Sequence, residues 1–216
     1  MPRLGPYFPF LIAALTFNSA ASLADSDVTV EQHGDHTTVD VEQYGDDIAT
    51  MIRQEGPDHE AYLLIDGAGI DGDVEQTGSG QFADITVVGE EHVFEVTQGG
   101  AGNRAHLIQD GSGHNASITQ WGVEPGAGPN IATIRQWDEG HTARIEQHGS
   151  GHRATIVQAG LNNEASMEQN GANNRASVSQ TGADNHFSLV QNGDNLVLPH
   201  VEQNGGATAS ITQNGS

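Results

Sequence analysis

Hydrophobic and polar residues alternate in arms of eleven residues that repeat along most of the chain. Between Asn163 and Gly182 the order Asn, any residue, Ala, any residue, aliphatic, any residue, Gln, any residue, Gly occurs twice. Alternation over seven residues followed by a glycine is typical of a short, half-buried β-strand that ends in a turn. Each arm therefore predicts one strand of about seven residues and a turn of about four.

The glutamine of this pattern recurs every eleven residues, with a five-residue insertion after Gln120 and one extra residue before Gln203. Seventeen positions carry the repeat, and Ile65 and Val87 replace glutamine at two of them. The other fifteen are Gln32, Gln43, Gln54, Gln76, Gln98, Gln109, Gln120, Gln136, Gln147, Gln158, Gln169, Gln180, Gln191, Gln203 and Gln213. A period this strict predicts stacked supersecondary units rather than a globule.

A glycine follows two residues after the key position in every arm except one, where Asp138 stands and Gly140 follows. We expect these glycines to form the turns between strands. They include Gly34, Gly45, Gly56, Gly67, Gly78, Gly89, Gly100, Gly111, Gly122, Gly149, Gly160, Gly171, Gly182, Gly193 and Gly205.

The inward face of each strand follows from the alternation. The residue two before the glutamine is aliphatic, the residue four before is usually small, and the residue six before is often Asn or His. These positions share one face of a strand, and the charged residues share the other. We expect five asparagines of this set to join the glutamines in buried amide ladders: Asn103, Asn130, Asn163, Asn174 and Asn185.

Two arms would make one coil of about 22 residues, so the predicted fold class is all-β. The architecture is a cross-β solenoid with two short strands per coil and about eight coils. In this arrangement Ile65 stacks beneath Val87, and an apolar pair replacing a glutamine pair leaves no amide unpaired. The segment from Asp66 to Asp73 is predicted to be an acidic loop, and Pro199 to bend the arm that contains it.

The segment 1–24 has the pattern of a signal peptide. Arg3 supplies a positive charge, residues 8–17 are an apolar run, and small residues at 22–24 offer a cleavage site. Ten apolar residues are too few to span a bilayer as a helix. We therefore expect a secreted chain with a signal peptide at 1–24, a solenoid domain at 25–216 and no stable membrane insertion.

Composition restricts the function further. The chain has no cysteine. It has 29 acidic residues and only 7 basic residues, all arginine, which argues against nucleic-acid binding through a basic surface. Only 35% of residues are hydrophobic, too few for an ordinary globular core, although a regular stack can order polar residues. No nucleophile elbow, paired-carboxylate cleft or phosphate loop is visible, so we expect neither an enzyme nor a cofactor.

One arm cannot be stable alone, because it needs strands above and below it for its backbone hydrogen bonds. The arm from Ala209 to Ser216 is nearly regular and is expected to be an open template for another molecule. Addition of this kind is a heterologous contact that need not close, so it produces a filament. We expect self-assembly into a homopolymer.

The doubled pattern Asn-x-Ala-x-aliphatic-x-Gln-x-Gly behind a signal segment resembles the curlin repeat of curli subunits, over roughly residues 26 to 216. The resemblance implies a subunit of an extracellular amyloid fibre of a bacterium with an outer membrane, used in adhesion and biofilm matrix. It also implies partners: a related curlin subunit or nucleator, and an outer-membrane secretion pore. Arms here begin with Asn or His, whereas curlin arms often begin with Ser.

Three alternatives remain open from the sequence. His92 and His114 occupy the same inward slot two arms apart, which indicates a stacked neutral pair but also allows a metal site or a pH switch. The acidic segment from Asp66 to Asp73 allows calcium binding, although its acids do not recur in register. The whole chain could instead be a monomeric solenoid that binds carbohydrate, ice or calcium.

Overall fold

A computed structural model describes residues 14–18, 26–122 and 128–215, and the described part contains strands, turns and bends but no helix. The strands are β1 (Ala14–Asn18), β2 (Asp27–His33), β3 (Thr38–Glu55), β4 (Glu60–Ser79), β5 (Phe82–Glu90), β6 (Val93–Ala101), β7 (Arg104–Ser112), β8 (Asn115–Trp121), β9 (Ile131–Glu139), β10 (Thr142–Ser150), β11 (Arg153–Leu161), β12 (Glu164–Ala172), β13 (Arg175–Ala183), β14 (His186–Asp194), β15 (Val201–Asn204) and β16 (Thr208–Asn214). No helix long and apolar enough to cross a bilayer occurs among these residues.

All described strand pairs are parallel, and the chain alternates between two faces. We call one the even face: β2, the C-terminal halves of β3 and β4, and strands β6, β8, β10, β12, β14 and β16. The odd face contains the N-terminal halves of β3 and β4, and strands β5, β7, β9, β11, β13 and β15. Equivalent residues of neighbouring strands on a face differ by 22 in sequence number, as for Gln54 and Gln76. The predicted β-solenoid is thereby confirmed.

Two interruptions change the 22-residue spacing, but equivalent residues still stack on one another in columns along each face. At the insertion the difference in sequence number rises to 27, and Gln109 still pairs with Gln136. Near the C-terminal end Gln180 pairs with Gln203, a difference of 23. The arm that contains Pro199 has only four residues in β15, because proline has no N–H for the ladder.

The strands are longer than the predicted seven residues. Most have nine, because the glycine column continues the ladder, as in the pair Gly89–Gly111. The segment from Asp66 to Asp73, predicted as a loop, lies inside β4. Ile70 in this segment is 1% exposed and is paired with Ile48. The early acidic arms therefore pack in the same register as the later ones.

The core is a thin layer between the two faces. Aliphatic side chains two residues before the key position form one buried column per face, and alanines form a second. Phe94 occupies an alanine slot and fits because Gly72 lies beneath its ring, where a Cβ would overlap it. All core residues and those packed against them lie between Val28 and Ile211.

The glycines predicted to form turns serve mainly to bring backbones close together. A Cβ on Gly111 would overlap the carbonyl oxygen of Asp138 in the next coil, and the φ of Gly111 is 132°. Two residues later a second left-handed position closes most of the described turns, here Gly113 with a φ of 66°. Asn or Asp often fills this second position, as at Asn162 and Asp184, because both tolerate the left-handed region.

Replacing Gly111 by alanine should therefore cost much more stability than replacing Gly113. At Gly113 the nearest neighbouring atoms lie 3.9 Å from an added Cβ, so only left-handed strain of about 1–2 kcal/mol opposes it. At Gly111 the added carbon also displaces the neighbouring coil. We expect Gly111→Ala to lower the free energy of unfolding by at least about 2 kcal/mol more than Gly113→Ala in urea titrations followed by circular dichroism. Equal losses would contradict this account of the glycine column.

Candidate functional site: the side-chain ladders of the interior

The glutamines of the even face form one continuous ladder through the interior. Each Nε2 donates to the Oε1 of the next glutamine, at 2.6 to 2.9 Å, in the direction of the C-terminal end. The members are Gln32, Gln54, Gln76, Gln98, Gln120, Gln147, Gln169, Gln191 and Gln213. The interior members are fully buried, whereas Gln32 and Gln213 at the two ends are partly exposed.

The same glutamines also connect the two faces. In the interior members the second N–H of Nε2 donates to the backbone carbonyl of the first residue in a strand of the opposite face, as from Gln98 to Phe82 at 3.0 Å. Equivalent bonds of 2.9 to 3.5 Å occur along both ladders. One side chain therefore fixes both the stacking of coils and the closure of each coil.

The ladder of the odd face is interrupted. Gln109, Gln136, Gln158, Gln180 and Gln203 are linked by bonds of 2.8 to 3.0 Å. Ile65 and Val87 stack on each other, as predicted.

The expectation that this apolar pair leaves no amide unpaired is wrong. Oε1 of Gln109, which follows Val87 in the column, is buried without a hydrogen-bond partner. The reason is the polarity of the ladder: the donor of each amide points one way along the stack, so Val87 cannot supply the donor that Gln109 requires. Oε1 of Gln43 is also unpaired, but for a different reason, because no glutamine precedes Gln43 in this column.

The column six residues before the glutamines binds backbone rather than forming the expected amide ladder. Each histidine and asparagine of this column, and Gln81, accepts the backbone N–H of its counterpart one coil further, at 2.8 to 3.3 Å. Most also donate to the carbonyl four residues earlier, as from Asn174 to Asn170 at 2.9 Å. Asn130 donates instead to the carbonyl of Gly149. An amide-to-amide bond in this column joins Asn185 to Asn163 at 2.8 Å.

Histidine replaces asparagine in this column because one ring offers the same donor and acceptor. Nδ1 of His92 lies 3.3 Å from the backbone nitrogen of His114, which can only donate. Nδ1 is therefore the acceptor, and the proton of the neutral ring lies on Nε2, which faces the carbonyl of Val88 at 3.1 Å. The same two contacts occur at His59, His114, His141 and His152.

Three of these rings stack on the even face. His92 and His114 have ring centroids 5.0 Å apart, as their spacing predicts, and His141 continues the stack at 5.1 Å. Neither nitrogen of a stacked ring has a free lone pair for a metal ion. No group of three or more potential ligands that could hold a metal occurs among the described residues.

Burial makes protonation of these rings unfavourable. Burial lowers the pKa of His92 and of His141 below the usual value for histidine, against a partly compensating backbone hydrogen bond at each ring. It lowers the pKa of His114 to about 4, with a further contribution from the two stacked neighbours. Protonation of Nδ1 would also remove the hydrogen bond that this atom accepts from a backbone N–H of the next coil.

Sequence reasoning missed several members of these columns. His141 belongs to the histidine stack, but the five-residue insertion hides its register with His114. Gln81 takes an asparagine slot and accepts the backbone N–H of Asn103. Counting six positions back from Val87 and from Gln147 would have found both. Two predicted turn glycines have room for a side chain: an added Cβ on Gly122 would meet its nearest atom at 3.4 Å, and one on Gly205 would meet no atom within 4 Å.

Comparison with known proteins agrees with this repeat geometry. The family model described as Curlin associated repeat matches residues 94–122, 139–171 and 160–193. The matches fall on β6 to β8 and β10 to β14, where the columns are regular. No curated protein matches the chain. The resemblance inferred from the sequence is confirmed, and it is to a repeat of structural proteins rather than enzymes.

The buried histidines should make the solenoid less stable in acid. Because their folded-state pKa values are lowered, the unfolded chain binds protons first as pH falls below about 6.5, and stability is lost from there towards about pH 4. The loss is at most about 1.4 kcal/mol per pH unit for each histidine. The triple variant His92→Asn, His114→Asn and His141→Asn should keep its stability at pH 7 and show a weaker pH dependence.

The measurement is the free energy of unfolding in urea from pH 7.5 to 4.5. The matched control replaces two exposed histidines outside the buried column, His33 and His36, by asparagine; it keeps every buried ring and should retain the acid sensitivity of the wild type. The same carboxylates are present in all three proteins, so the difference between the pH profiles reports on the histidine column. Parallel pH profiles for the wild type and the His92, His114 and His141 variant would contradict the assignment.

Proposed function

Because this chain carries curlin associated repeats in a parallel β-solenoid, we propose that it is a subunit of an extracellular amyloid fibre of the curli type. Copies add head to tail by strand stacking, and the fibre serves in cell adhesion and biofilm matrix. The observation that carries the proposal is the presence of open strand edges at both ends of the stack. Among the described residues, β15 and β16 each have a neighbouring strand on one side only, and so does β2.

The apolar core is also left partly uncovered at the two ends of the stack. Inward-facing Val28 and Val30 at one end, and Ala209 and Ile211 at the other, are only partly buried, whereas their counterparts in interior coils are covered. Exposed backbone groups and apolar side chains in one flat edge favour pairing with another strand of the same pattern. A second copy supplies that pattern, so addition of one molecule recreates the surface that bound it.

The outward face supports a fibre that grows lengthwise. Removal of residues 1–24 leaves 6 arginines and 29 acids, a net charge of −23, which disfavours lateral association. Outward columns vary along the stack, as in the series Arg104, Ile131, Arg153, Arg175. A binding module that recognises a regular surface would instead need one repeated outward residue.

Export and nucleation belong to the same proposal. The signal peptide at 1–24 directs the chain out of the cytoplasm, and the chain from Asp25 crosses the outer membrane through a secretion pore. A related curlin subunit or nucleator supplies the first template. The absence of cysteine from the sequence is compatible with folding outside the cell.

The test uses residues 25–216, diluted from denaturant at pH 7 and followed by thioflavin T fluorescence with electron microscopy of the same samples. We expect fibres after a lag, and no lag when preformed seeds are added. Ile211→Asn, which places an amide in the aliphatic column of the terminal coil, should slow seeded growth at least about tenfold. The outward variant Thr212→Asn on the same strand should grow like the wild type.

A soluble β-rich monomer that does not polymerise even with seeds would contradict the fibre function and favour a monomeric binding module. Fibres that grow equally fast in the wild type and in Ile211→Asn would contradict the role of the terminal edge in growth.

A further inference from the structure

The open edges also determine how two copies join, and this inference rests on the proposed fibre function. We infer that copies join with a half-coil offset. Strand β16 of one copy pairs with the N-terminal half of β3 in the next copy, and β15 pairs with β2 of the next copy. The second copy is rotated by half a turn about the fibre axis, so that the even face of one copy continues as the odd face of the next.

The first argument is the pairing of strand edges. Strands β2 and β16, at opposite ends of the described solenoid, both lie on the even face. If β16 paired with β2 of the next copy, the odd face would lack one strand between β15 and the next β3. Both of those edges would then keep unpaired N–H and C=O groups inside the fibre, which is costly. The half-coil offset pairs every edge.

The second argument is the unpaired amide of Gln43. Its Oε1 is buried and has no donor. In both ladders each Nε2 donates towards the C-terminal end, so Oε1 of Gln43 requires a donor from the strand below it. At the other end, Nε2 of Gln213 has only a 3.4 Å bond to the carbonyl of Val197. The half-coil offset places Gln213 beneath Gln43 of the next copy, whereas the whole-coil junction leaves Gln43 unpaired.

The third argument is that this edge of β3 accepts a parallel strand. Strand β1 pairs there, from Ala14 opposite Thr38 to Asn18 opposite Glu42. β1 lies within the segment that we expect to be removed on export. Its removal frees the edge for β16 of a second copy, whose inward Ala209 and Ile211 would stack on Val39 and Val41. Until it is removed, β1 blocks this growth edge.

One contact opposes the offset, because it places Glu202 of one copy next to Glu31 of the next. Both side chains are exposed, where the high dielectric constant of water weakens the repulsion between neighbouring charges. Outward stacks of two acids already occur within the solenoid, as at Asp73 and Glu95. A single such pair is therefore compatible with strand pairing at the junction.

Cysteine pairs can distinguish the two junctions, because the chain has no cysteine of its own. Thr212, Glu42 and Glu31 all point outward. The half-coil offset places position 212 beside position 42 of the next copy, and the whole-coil junction places it beside position 31. Neighbouring strands lie about 4.8 Å apart, within the Cα separation that a disulfide allows.

The experiment oxidises fibres of the 25–216 chain carrying Thr212→Cys with Glu42→Cys, or Thr212→Cys with Glu31→Cys. After fibre dissolution, non-reducing gels should show covalent dimers and higher oligomers for the first pair and monomer for the second. Thr212→Cys alone measures lateral crosslinking. The pair Glu168→Cys and Val190→Cys, adjacent within one molecule, measures oxidation efficiency by loss of free thiol.

The outcomes separate this inference from the fibre function. If the wild-type chain forms no fibres, the proposed function fails. If fibres form and the pair at 212 and 31 crosslinks, or neither pair crosslinks while the intramolecular control does, the half-coil junction is wrong and the fibre function remains.

Discussion

The hydrogen bond between equivalent glutamine side chains in successive coils is the interaction on which the rest of this structure depends. A buried amide must pair both its donor and its acceptor, and a ladder of identical amides does so only when the coils are in register. Because the second N–H of the interior glutamines also reaches the opposite face, the same residues fix the width of the coil. A slip of one residue would turn this whole set of side chains to solvent.

This constraint explains how a chain with 35% hydrophobic residues and a net charge of −22 is ordered at all. The interior is polar as well as apolar, and each coil takes its hydrogen-bond partners from the coils on either side. Histidine and asparagine are interchangeable in one column because each offers a donor and an acceptor in the positions that the backbone requires. The ladders also have a direction, so the two ends of the molecule differ: one presents acceptors and the other donors.

Much of the fold could be predicted because the period of the glutamines defines the columns directly. The stacking of Ile65 on Val87, and of His92 on His114, followed from position alone. The sequence positions could not give the direction of the amide hydrogen bonds along the stack. The unpaired Oε1 of Gln109 follows from this direction, which only the structure shows. Strand length was underestimated because glycine was taken as a turn residue, whereas here its missing Cβ lets two backbones approach. The fit of Phe94 at a position that usually holds alanine could not be predicted without knowing that Gly72 lies beneath its ring.

The most direct test of the central claim compares two glutamine variants by urea unfolding of the 25–216 chain. Gln147→Leu, inside the unbroken ladder, leaves Nε2 of Gln120 and Oε1 of Gln169 without these partners. Gln109→Leu, at a ladder end, takes a donor from Gln136 but removes an amide oxygen that was already unpaired. The account predicts that Gln147→Leu lowers the free energy of unfolding by about 1–3 kcal/mol more than Gln109→Leu. Equal losses would show that the amide ladder is incidental to a core held together by its aliphatic columns.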